Sequence, residues 1–275
     1  MEKATADRLE IPIASVVTQA HLKEFLLFKF SLERYHPCAW HLTCDEYSFN
    51  ALKNFDGCKC RMADIENGEQ RGSGKSFENF YRVMLQKFNS SREALKSHPY
   101  VLLADSDIIF TNSIDYKFSE FVNSDLDVIV SPHYQWDAKI DASWGKYNSG
   151  FALLKSTKFI DAWENLTLKN IYPTVEQLPM TKVIESNEFK FDEFPINYNM
   201  GWWRFRNKAS RNRFNSFGVK NGKITYDGFD VVNFHFHTFL EHKHSLEFKD
   251  IIFNILRESE HYAPLLSKYE ELKQL

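Results

Sequence analysis

The stretch "VLLADSDIIF", residues 101–110, places two aspartates, Asp105 and Asp107, directly after an apolar run. The run before them predicts a buried β-strand. In open sheets covered by helices, ligands bind beyond the carboxyl ends of the strands. Two carboxylates at that place can hold a hard divalent cation that keeps open positions for phosphate oxygens. The stretch therefore predicts a metal site at the edge of a sheet.

A second Asp-x-Asp triplet in the same chain serves as an internal control. The segment "SDLDVIV", residues 124–130, places Asp125 and Asp127 before a predicted strand instead of after it. These acids would lie at the entrance of the strand, away from the ligand-binding edge. We therefore expect a metal at the first pair only, because the triplet by itself also arises by chance.

The order of the predicted elements around these acids indicates the fold class. A buried strand at residues 11–18 is followed by an amphipathic helix at 21–36, and further strands and helices alternate after them. This alternation predicts an α/β fold with a mostly parallel central sheet flanked by helices. The Asn-Gly pair in "FGVKNGKITYDG", residues 217–228, predicts a hairpin. A last strand is predicted at 231–237, and a helical tail begins at Leu246.

Composition restricts the partners. The 275 residues carry a formal net charge of -3 with a pI near 6.4, which disfavours nucleic acid as a partner. No uncharged stretch is long enough to span a membrane, and the N-terminus lacks the pattern of a secretory signal, so a soluble, cytoplasmic protein is expected. Reduced thiols are expected for the four cysteines, which are Cys38, Cys44, Cys58 and Cys60.

The segment "GSGKS", residues 72–76, has the ending of a phosphate-binding P-loop. That motif requires a glycine five residues before Gly74, where Glu69 stands, and a buried strand that leads into the loop. The preceding residues are polar and charged, so both requirements fail. We interpret the segment as a loop that enters a helix.

Five segments in order resemble the GT-A glycosyltransferases, most closely the glycogenin-like and related nucleotide-diphospho-sugar transferases, from Ile11 to about Lys243. They are "VVTQAHLKEFLLFKFSL", "VLLADSDIIF", "YNSGFALLKST", "EQLPMTKVI" and "VVNFHFHTFLEHK". The resemblance implies a GT-A (Rossmann-like) fold in a single domain, 1–275, with a C-terminal acceptor-side hairpin and loop region. Its parts would be a nucleotide-sugar-binding half at 1–115, a sugar and acceptor half at 116–245 and a helical tail at 246–275.

The resemblance also implies a ligand set. Asp105, Asp107 and a histidine of the last strand would bind Mn²⁺ or Mg²⁺. His235 and His237 alternate with phenylalanines and share one face of that strand, and His235 aligns better with the family's ligand, leaving His237 to contact phosphate or to pack. Other donor contacts would come from Thr18, Gln19, Ser106, Gly150 and Lys243, and from Arg82 or Lys87, between which the spacing does not decide.

The same resemblance implies roles on the sugar side. Asn148 and Gln177 would hold the donor sugar, with a simple turn or helix-start role as the alternative for each. Glu176 stands where the family has an aspartate. Retention of configuration is the more common outcome in the family; Asp137 or Asp141 would be the general base if the reaction inverts.

Two segments leave the acceptor and phosphate contacts open. Thr238 replaces the family's glycine and Lys243 comes two residues late, which leaves the contacts to the distal phosphate undecided. The aromatic and basic segment 197–214 fits either stacking on sugar rings and binding of acidic groups or a core anchor with a solvated flank.

The chemistry expected is transfer of a sugar from a nucleotide-diphosphate donor, with UDP-sugars first on family grounds, to a hydroxyl of a glycan or protein. A cation held by the two acids would stabilise the charge of the departing diphosphate. A haloacid-dehalogenase-type phosphatase is an alternative, although its strand lies near the N-terminus and it needs a later acidic pair. A third hypothesis is a sugar- or nucleotide-binding module without catalytic activity. The oligomeric state stays open.

Overall fold

The central feature of the computed structural model, which describes residues 10–65, 75–134, 138–169, 175–205, 212–240 and 245–275, is a seven-stranded sheet. From edge to edge its strands are β3 (Cys58–Met62), β2 (Cys38–Cys44), β1 (Ile11–Val17), β4 (Val101–Ala104), β7 (Tyr147–Leu154), β6 (Val128–Pro132) and β8 (Phe191–Glu193). Only β7 runs antiparallel to its neighbours, β4 and β6, while the other pairs are parallel. The expectation of a mostly parallel sheet is confirmed.

Burial follows the position of each strand in the sheet. All residues of β4 and β7 are buried, and β1 is buried except for the half-buried Val16. Continuous apolar runs of this kind are typical of strands covered on both faces. At the edge of the sheet, β3 alternates half-buried and exposed residues until its exposed end. The interior strands, which the sequence marks most clearly, also carry the candidate site.

Helices cover both faces of the sheet. Their bounds are α1 (Leu22–Glu33), α2 (Glu46–Leu52), α3 (Lys75–Leu95), α4 (Asp115–Val122), α5 (Ala138–Trp144), α6 (Thr157–Lys169), α7 (Gln177–Glu185), α8 (Leu246–Arg257) and α9 (Ala263–Gln274). On one face, Phe25 and Phe28 of α1 meet Trp40 edge-on at 5.2 and 5.1 Å between ring centroids. On the other, Phe88 of α3 meets Trp163 of α6 edge-on at 4.8 Å. These contacts fix the helices over the sheet.

A small second sheet brings the C-terminal part of the chain to the acidic pair. Strand β13 (Asn233–His235) pairs antiparallel with β5 (Ile108–Phe110) and parallel with β9 (Met200–Gly201). This register places His235 opposite Ile108 and Gly201. The backbone N–H of Phe236 donates to the carbonyl of Asp107 at 3.1 Å. The histidine segment therefore lies against the acidic segment, 130 or so residues away in sequence.

The predicted hairpin forms where the Asn-Gly pair placed it. Strands β10 (Phe217–Lys220) and β11 (Lys223–Tyr226) pair antiparallel, and β12 (Phe229–Asp230) adds a third strand. Asn221 and Gly222 have φ angles of 52° and 76°, the left-handed conformations that a type I′ turn requires. The tail forms α8 and α9, whose apolar residues pack into a cluster with this hairpin and with Leu27 of α1.

Two further sequence expectations concern cysteines and membrane segments. Cys38, Cys44, Cys58 and Cys60 are all free thiols. Within the part of the chain that the structure describes, no helix has the length and apolar character that crossing a bilayer requires.

Candidate metal centre

The structure brings Asp105, Asp107 and His235 together at the carboxyl edge of the sheet. Asp105 follows β4, Asp107 precedes β5, and His235 ends β13. One candidate ligand atom from each residue lies within 4.8 Å of the others. His235 Nε2 is 3.1 Å from Asp107 Oδ1 and 3.8 Å from Asp105 Oδ2. Two carboxylates and an imidazole converge here on one small volume.

The electrostatics of the cluster favour a charged Asp107. Burial by itself would raise the pKa of Asp107, but the neighbouring His235 and His237 outweigh it and hold this pKa below its ordinary value. For His235, burial acts to lower the pKa, and the charge of Asp107 outweighs this and raises it. His237 Nδ1 also lies 3.2 Å from Asp107 Oδ2. Asp107 is therefore an anion that faces two imidazoles.

The residues present fit a divalent cation. A Cβ atom added to Gly150 would come within 2.2 Å of Asp105 Oδ2 and 2.7 Å of His235 Cε1, so only glycine leaves this space open. The backbone N–H of Asp105 donates to the Gly150 carbonyl at 2.8 Å, which holds the two backbones side by side. Carboxylate oxygens with one imidazole nitrogen form a donor set that suits Mn²⁺ or Mg²⁺.

Asn199 orients His235 from behind. His235 Nδ1 lies 2.8 Å from Asn199 Oδ1, an acceptor, so Nδ1 carries the proton and Nε2 faces the acids. The Asn199 amide donates in turn to Asn148 Oδ1 at 3.1 Å and to Ser131 Oγ at 2.9 Å. Asn199 has a φ angle of 47°, a conformation that asparagine tolerates better than most residues. The sequence did not indicate this role of Asn199, because no pattern in "NYNMG" relates it to a histidine 36 residues later.

Lys87 links the acidic pair to α7. Its Nζ is 2.8 Å from Asp105 Oδ1 and 3.1 Å from Glu176 Oε1, and Ser149 Oγ donates to the same Glu176 oxygen at 2.7 Å. Burial would lower the pKa of Lys87, but Asp105 and Glu176 outweigh it and raise this pKa, so the ammonium stays charged. Of the two basic residues between which the spacing did not decide, Lys87 contacts Asp105, whereas Arg82 is exposed.

Glu24 holds the chain that follows the histidines. Its carboxylate is 1% exposed and accepts the backbone N–H groups of Thr238 at 2.8 and 3.0 Å, Phe239 at 2.9 Å and Leu240 at 3.3 Å. Burial, and next the charge of Asp107, raise the pKa of Glu24, while the backbone donors act against this. The sequence analysis also missed Glu24, because a single acid within an apolar helix carries no mark of such a contact.

The expected nucleotide side lies at the end of β1. Thr18 is buried and its hydroxyl lies 3.0 Å from His21 Nδ1. The backbone N–H of Gln19 donates to Asp45 Oδ2 at 2.7 Å. The His21 ring lies 5.8 Å from the ring of His237. The contact between the His21 and His237 rings therefore connects the loop after β1 with the candidate metal centre.

The expected sugar side lies on β7 and α7. Asn148 Oδ1 accepts from Asn199 and from the backbone N–H of Gly150 at 3.1 Å. Ser106, between the two aspartates, is 6% exposed. Gln177 is the first residue of α7 and hydrogen-bonds the buried His133.

Two residues of the segment 197–214, Trp203 and Arg204, make contacts within the structure. The Trp203 ring stands edge-on to His235 at 5.0 Å and to His133 at 5.7 Å between centroids. Arg204 is buried and donates to the carbonyls of Ile196, Tyr198 and Asn199. Arg204 is thus a core anchor, which is one of the two interpretations that the sequence left open.

The remaining expected residues lie apart from this cluster or outside the described residues. Asp141 is on α5, where its carbonyl accepts the backbone N–H of Gly145 at 2.9 Å. Asp137 and Lys243 lie outside the described residues, so their positions stay predictions, as does the role of residues 206–211.

Comparison with known proteins identifies the fold. No family model and no curated protein matches this sequence. Among solved structures, galactosyltransferase LgtC in complex with donor and acceptor sugar analogs is 13% identical with a TM-score of 0.53, over 94% of this chain and 100% of that one. Mouse xyloside xylosyltransferase 1 is 15% identical with a TM-score of 0.51, over 83% and 98%. The WbbM bifunctional glycosyltransferase is 12% identical with a TM-score of 0.54, over 98% and 53%.

These similarities, together with the sheet order, show that the chain has the GT-A fold of nucleotide-sugar transferases. At these identities the similarity shows the fold alone. Any activity has to be argued from the residues of the site.

Proposed function

We propose that this chain is a metal-dependent glycosyltransferase, a hexosyl- or pentosyltransferase that moves a sugar from a nucleotide-diphosphate sugar to a hydroxyl of a glycan or protein. The observation that carries the proposal is the Asp105–Asp107–His235 cluster at the ligand-binding edge of a GT-A fold. A UDP-sugar as donor, Mn²⁺ or Mg²⁺ as cofactor and a cytoplasmic location complete the proposal. The neighbours' names, one a galactosyltransferase and one a xylosyltransferase, support glycosyl transfer and leave the sugar open.

Each residue of the cluster would have a physical task. Asp105, Asp107 and His235 would hold the cation, which neutralises charge on the diphosphate as the glycosidic bond breaks. Lys87 would orient the Asp105 carboxylate, because its ammonium stays charged and lies 2.8 Å from Asp105 Oδ1. Asn148 and Gln177 would position the sugar carbon against the acceptor hydroxyl, and positioning supplies a large share of the acceleration in such reactions. Thr18 and Gln19 would contact the nucleotide.

The test is a panel of nucleotide-diphosphate sugars, with UDP-sugars first, measured for thermal stabilisation with and without Mn²⁺. A true donor stabilises the folded protein by mass action, and the shift should require the cation. For each sugar that stabilises, release of the nucleoside diphosphate is then measured with glycan acceptors. Metal-dependent stabilisation without any release would identify the silent binding module instead. Hydrolysis of a phosphomonoester without turnover of any nucleotide sugar would favour the phosphatase.

A further inference from the structure

A cleft beside α3 shares no lining residue with the Asp105–Asp107–His235 cluster. It has a volume of about 490 Å³ and lies between the edge strand β3, the neighbouring β2 and the C-terminal half of α3. This volume is typical of sites for small molecules. Lys96 in the cleft follows Lys87 by nine residues, which at 1.5 Å per residue is about 13 Å along the helix axis. The end of the cleft at Lys96 therefore lies well away from the Lys87 ammonium that contacts Asp105.

The lining of the cleft carries excess positive charge. Lys59 and Arg61 alternate along β3 and point to the same face, where both are exposed. Lys96 adds a third cation, and Glu93, the one acid among the lining residues, pairs with it at 2.6 Å. Among the described residues, neither Lys59 nor Arg61 has an ion-pair partner. Two positive charges of the lining thus remain uncompensated.

A buried histidine forms the floor. His41 is 4% exposed, and its Nε2 has no hydrogen-bond partner in the described part of the chain. Burial, followed by the neighbouring His98 and Lys59, lowers the pKa of His41 to about 4, so the ring is neutral at neutral pH. The rings of His41 and His98 meet edge-on at 5.2 Å. A buried polar atom left unpaired is costly, and a ligand that pairs with it recovers that cost.

We propose that this cleft binds a phosphomonoester group, either as a sugar phosphate or as free phosphate. A phosphomonoester carries about -1.5 to -2 charges at neutral pH, which matches the uncompensated charge of the lining. The guanidinium of Arg61 suits two phosphate oxygens at once, and the ammonium groups of Lys59 and Lys96 add point charges. In the tautomer with its proton on Nε2, the neutral ring of His41 can donate to a phosphate oxygen. This is a second ligand site, and it does not depend on the proposed transfer reaction.

The test is calorimetric titration of the full chain with inorganic phosphate and, separately, with glucose 6-phosphate, both with a chelator present so that no cation-bridged phosphate binds near Asp105. The double variant Lys59→Gln/Arg61→Gln should bind at least about tenfold more weakly, since each removed charge-assisted hydrogen bond contributes roughly that factor. Its matched control is Lys158→Gln/Lys220→Gln, which removes the same charge from two exposed lysines elsewhere. The control should bind like the parent.

The two titrants distinguish the source of the phosphate. Tighter binding of glucose 6-phosphate supports a sugar phosphate, and equal or tighter binding of inorganic phosphate supports the free anion. The proposal is overturned if the parent binds neither at millimolar concentration, or if the cleft variant binds both as the parent does. As a measurement that needs no variant, the ring resonances of His41 should shift when phosphate is added to the parent, and unchanged resonances would also overturn it.

Discussion

The two Asp-x-Asp triplets have the same residue pattern and opposite environments. Asp105 and Asp107 follow a buried strand and face His235 at 3.8 and 3.1 Å. Asp125 and Asp127 precede β6, where Asp125 pairs with the exposed Lys190 at 2.5 Å and Asp127 accepts the backbone N–H of Lys190 at 2.9 Å. Asp105 and Asp107 thus lie beside a histidine. Asp125 and Asp127 instead bind Lys190, which links the start of β6 to the start of the adjacent β8.

The difference teaches that the fold gives the motif its chemistry. At the carboxyl edge of the sheet, β13 pairs with β5 beside the acids and adds His235 as a third candidate metal ligand. At the opposite edge, the Asp125 and Asp127 carboxylates contact Lys190 through its ammonium and its backbone N–H, and solvent screens the exposed Asp125. Changing equivalent residues at the two triplets tests this difference.

The largest effect is expected for Asp107→Asn compared with Asp127→Asn. Both changes remove one carboxylate charge and keep the shape of the side chain. Asp107→Asn should lower metal-dependent release of nucleoside diphosphate by at least about a hundredfold, because it removes a charge from the centre that would stabilise the leaving group. Rates measured across a Mn²⁺ titration provide the check. Asp127→Asn should leave the rate unchanged, and equal losses in both variants would contradict the distinction.

A comparison of two lysines extends the test to stability. Lys87 is buried between Asp105 and Glu176, whereas Lys190 is an exposed partner of Asp125. Lys87→Gln should lower the free energy of unfolding by about 3 kcal/mol, because the buried Glu176 and the partly exposed Asp105 lose their counter-charge. Lys190→Gln should cause no measurable change. Denaturant unfolding without added metal measures both, and a Lys87→Gln protein as stable as the parent would show that the buried network contributes nothing.

Sequence patterns predicted the features that depend on neighbouring residues. The buried strand before Asp105, the Asn-Gly turn at 221–222 and the alternating histidines at 235 and 237 are all local, and the structure contains each of them. Between Arg82 and Lys87 the spacing could not decide, because both lie on the same helix and only the packing of α3 on the sheet separates them.

Contacts between distant residues were not predictable in the same way. Asn199 meets His235 across 36 residues, and Glu24 meets Thr238 across 214. Neither asparagine nor glutamate in those segments has a local pattern that marks a buried acceptor. Such residues become visible only when the fold places their partners beside them, and they account for the part of the site that the sequence left out.

Glu24→Gln tests whether this distant anchor matters to the centre. Glutamine keeps the size and one acceptor oxygen, but it replaces the second oxygen, which accepts the backbone N–H of Thr238 at 3.0 Å, with an NH₂ donor. We expect Mn²⁺ affinity to fall by about tenfold, because the segment that carries His235 and His237 is held less firmly. Calorimetric Mn²⁺ titration of the free protein measures this without any activity assay. Glu33→Gln, on the exposed end of the same helix, is the matched control and should bind Mn²⁺ as the parent does.

The smallest effect concerns His133, which forms no ion pair with an acid among the described residues. The acids raise the pKa of His235, whereas burial lowers the pKa of the nearby His133 to about 4. A histidine whose pKa is lowered in the folded state stabilises the fold above its ordinary pKa of about 6.5, and this contribution is lost as the pH falls from there toward 4.

His133→Gln should therefore flatten the acid side of the stability curve. Glutamine can still donate to the Gly145 carbonyl, which lies 3.0 Å from His133 Nδ1. Between pH 7.5 and pH 5.5 the parent should lose about 1 kcal/mol more stability than the variant. Denaturant unfolding at both pH values measures the difference, and absolute stability at pH 7.5 cancels in it. Equal losses would mean that His133 takes up its proton in the folded state as easily as in the unfolded chain. Burial would then not lower the pKa of His133.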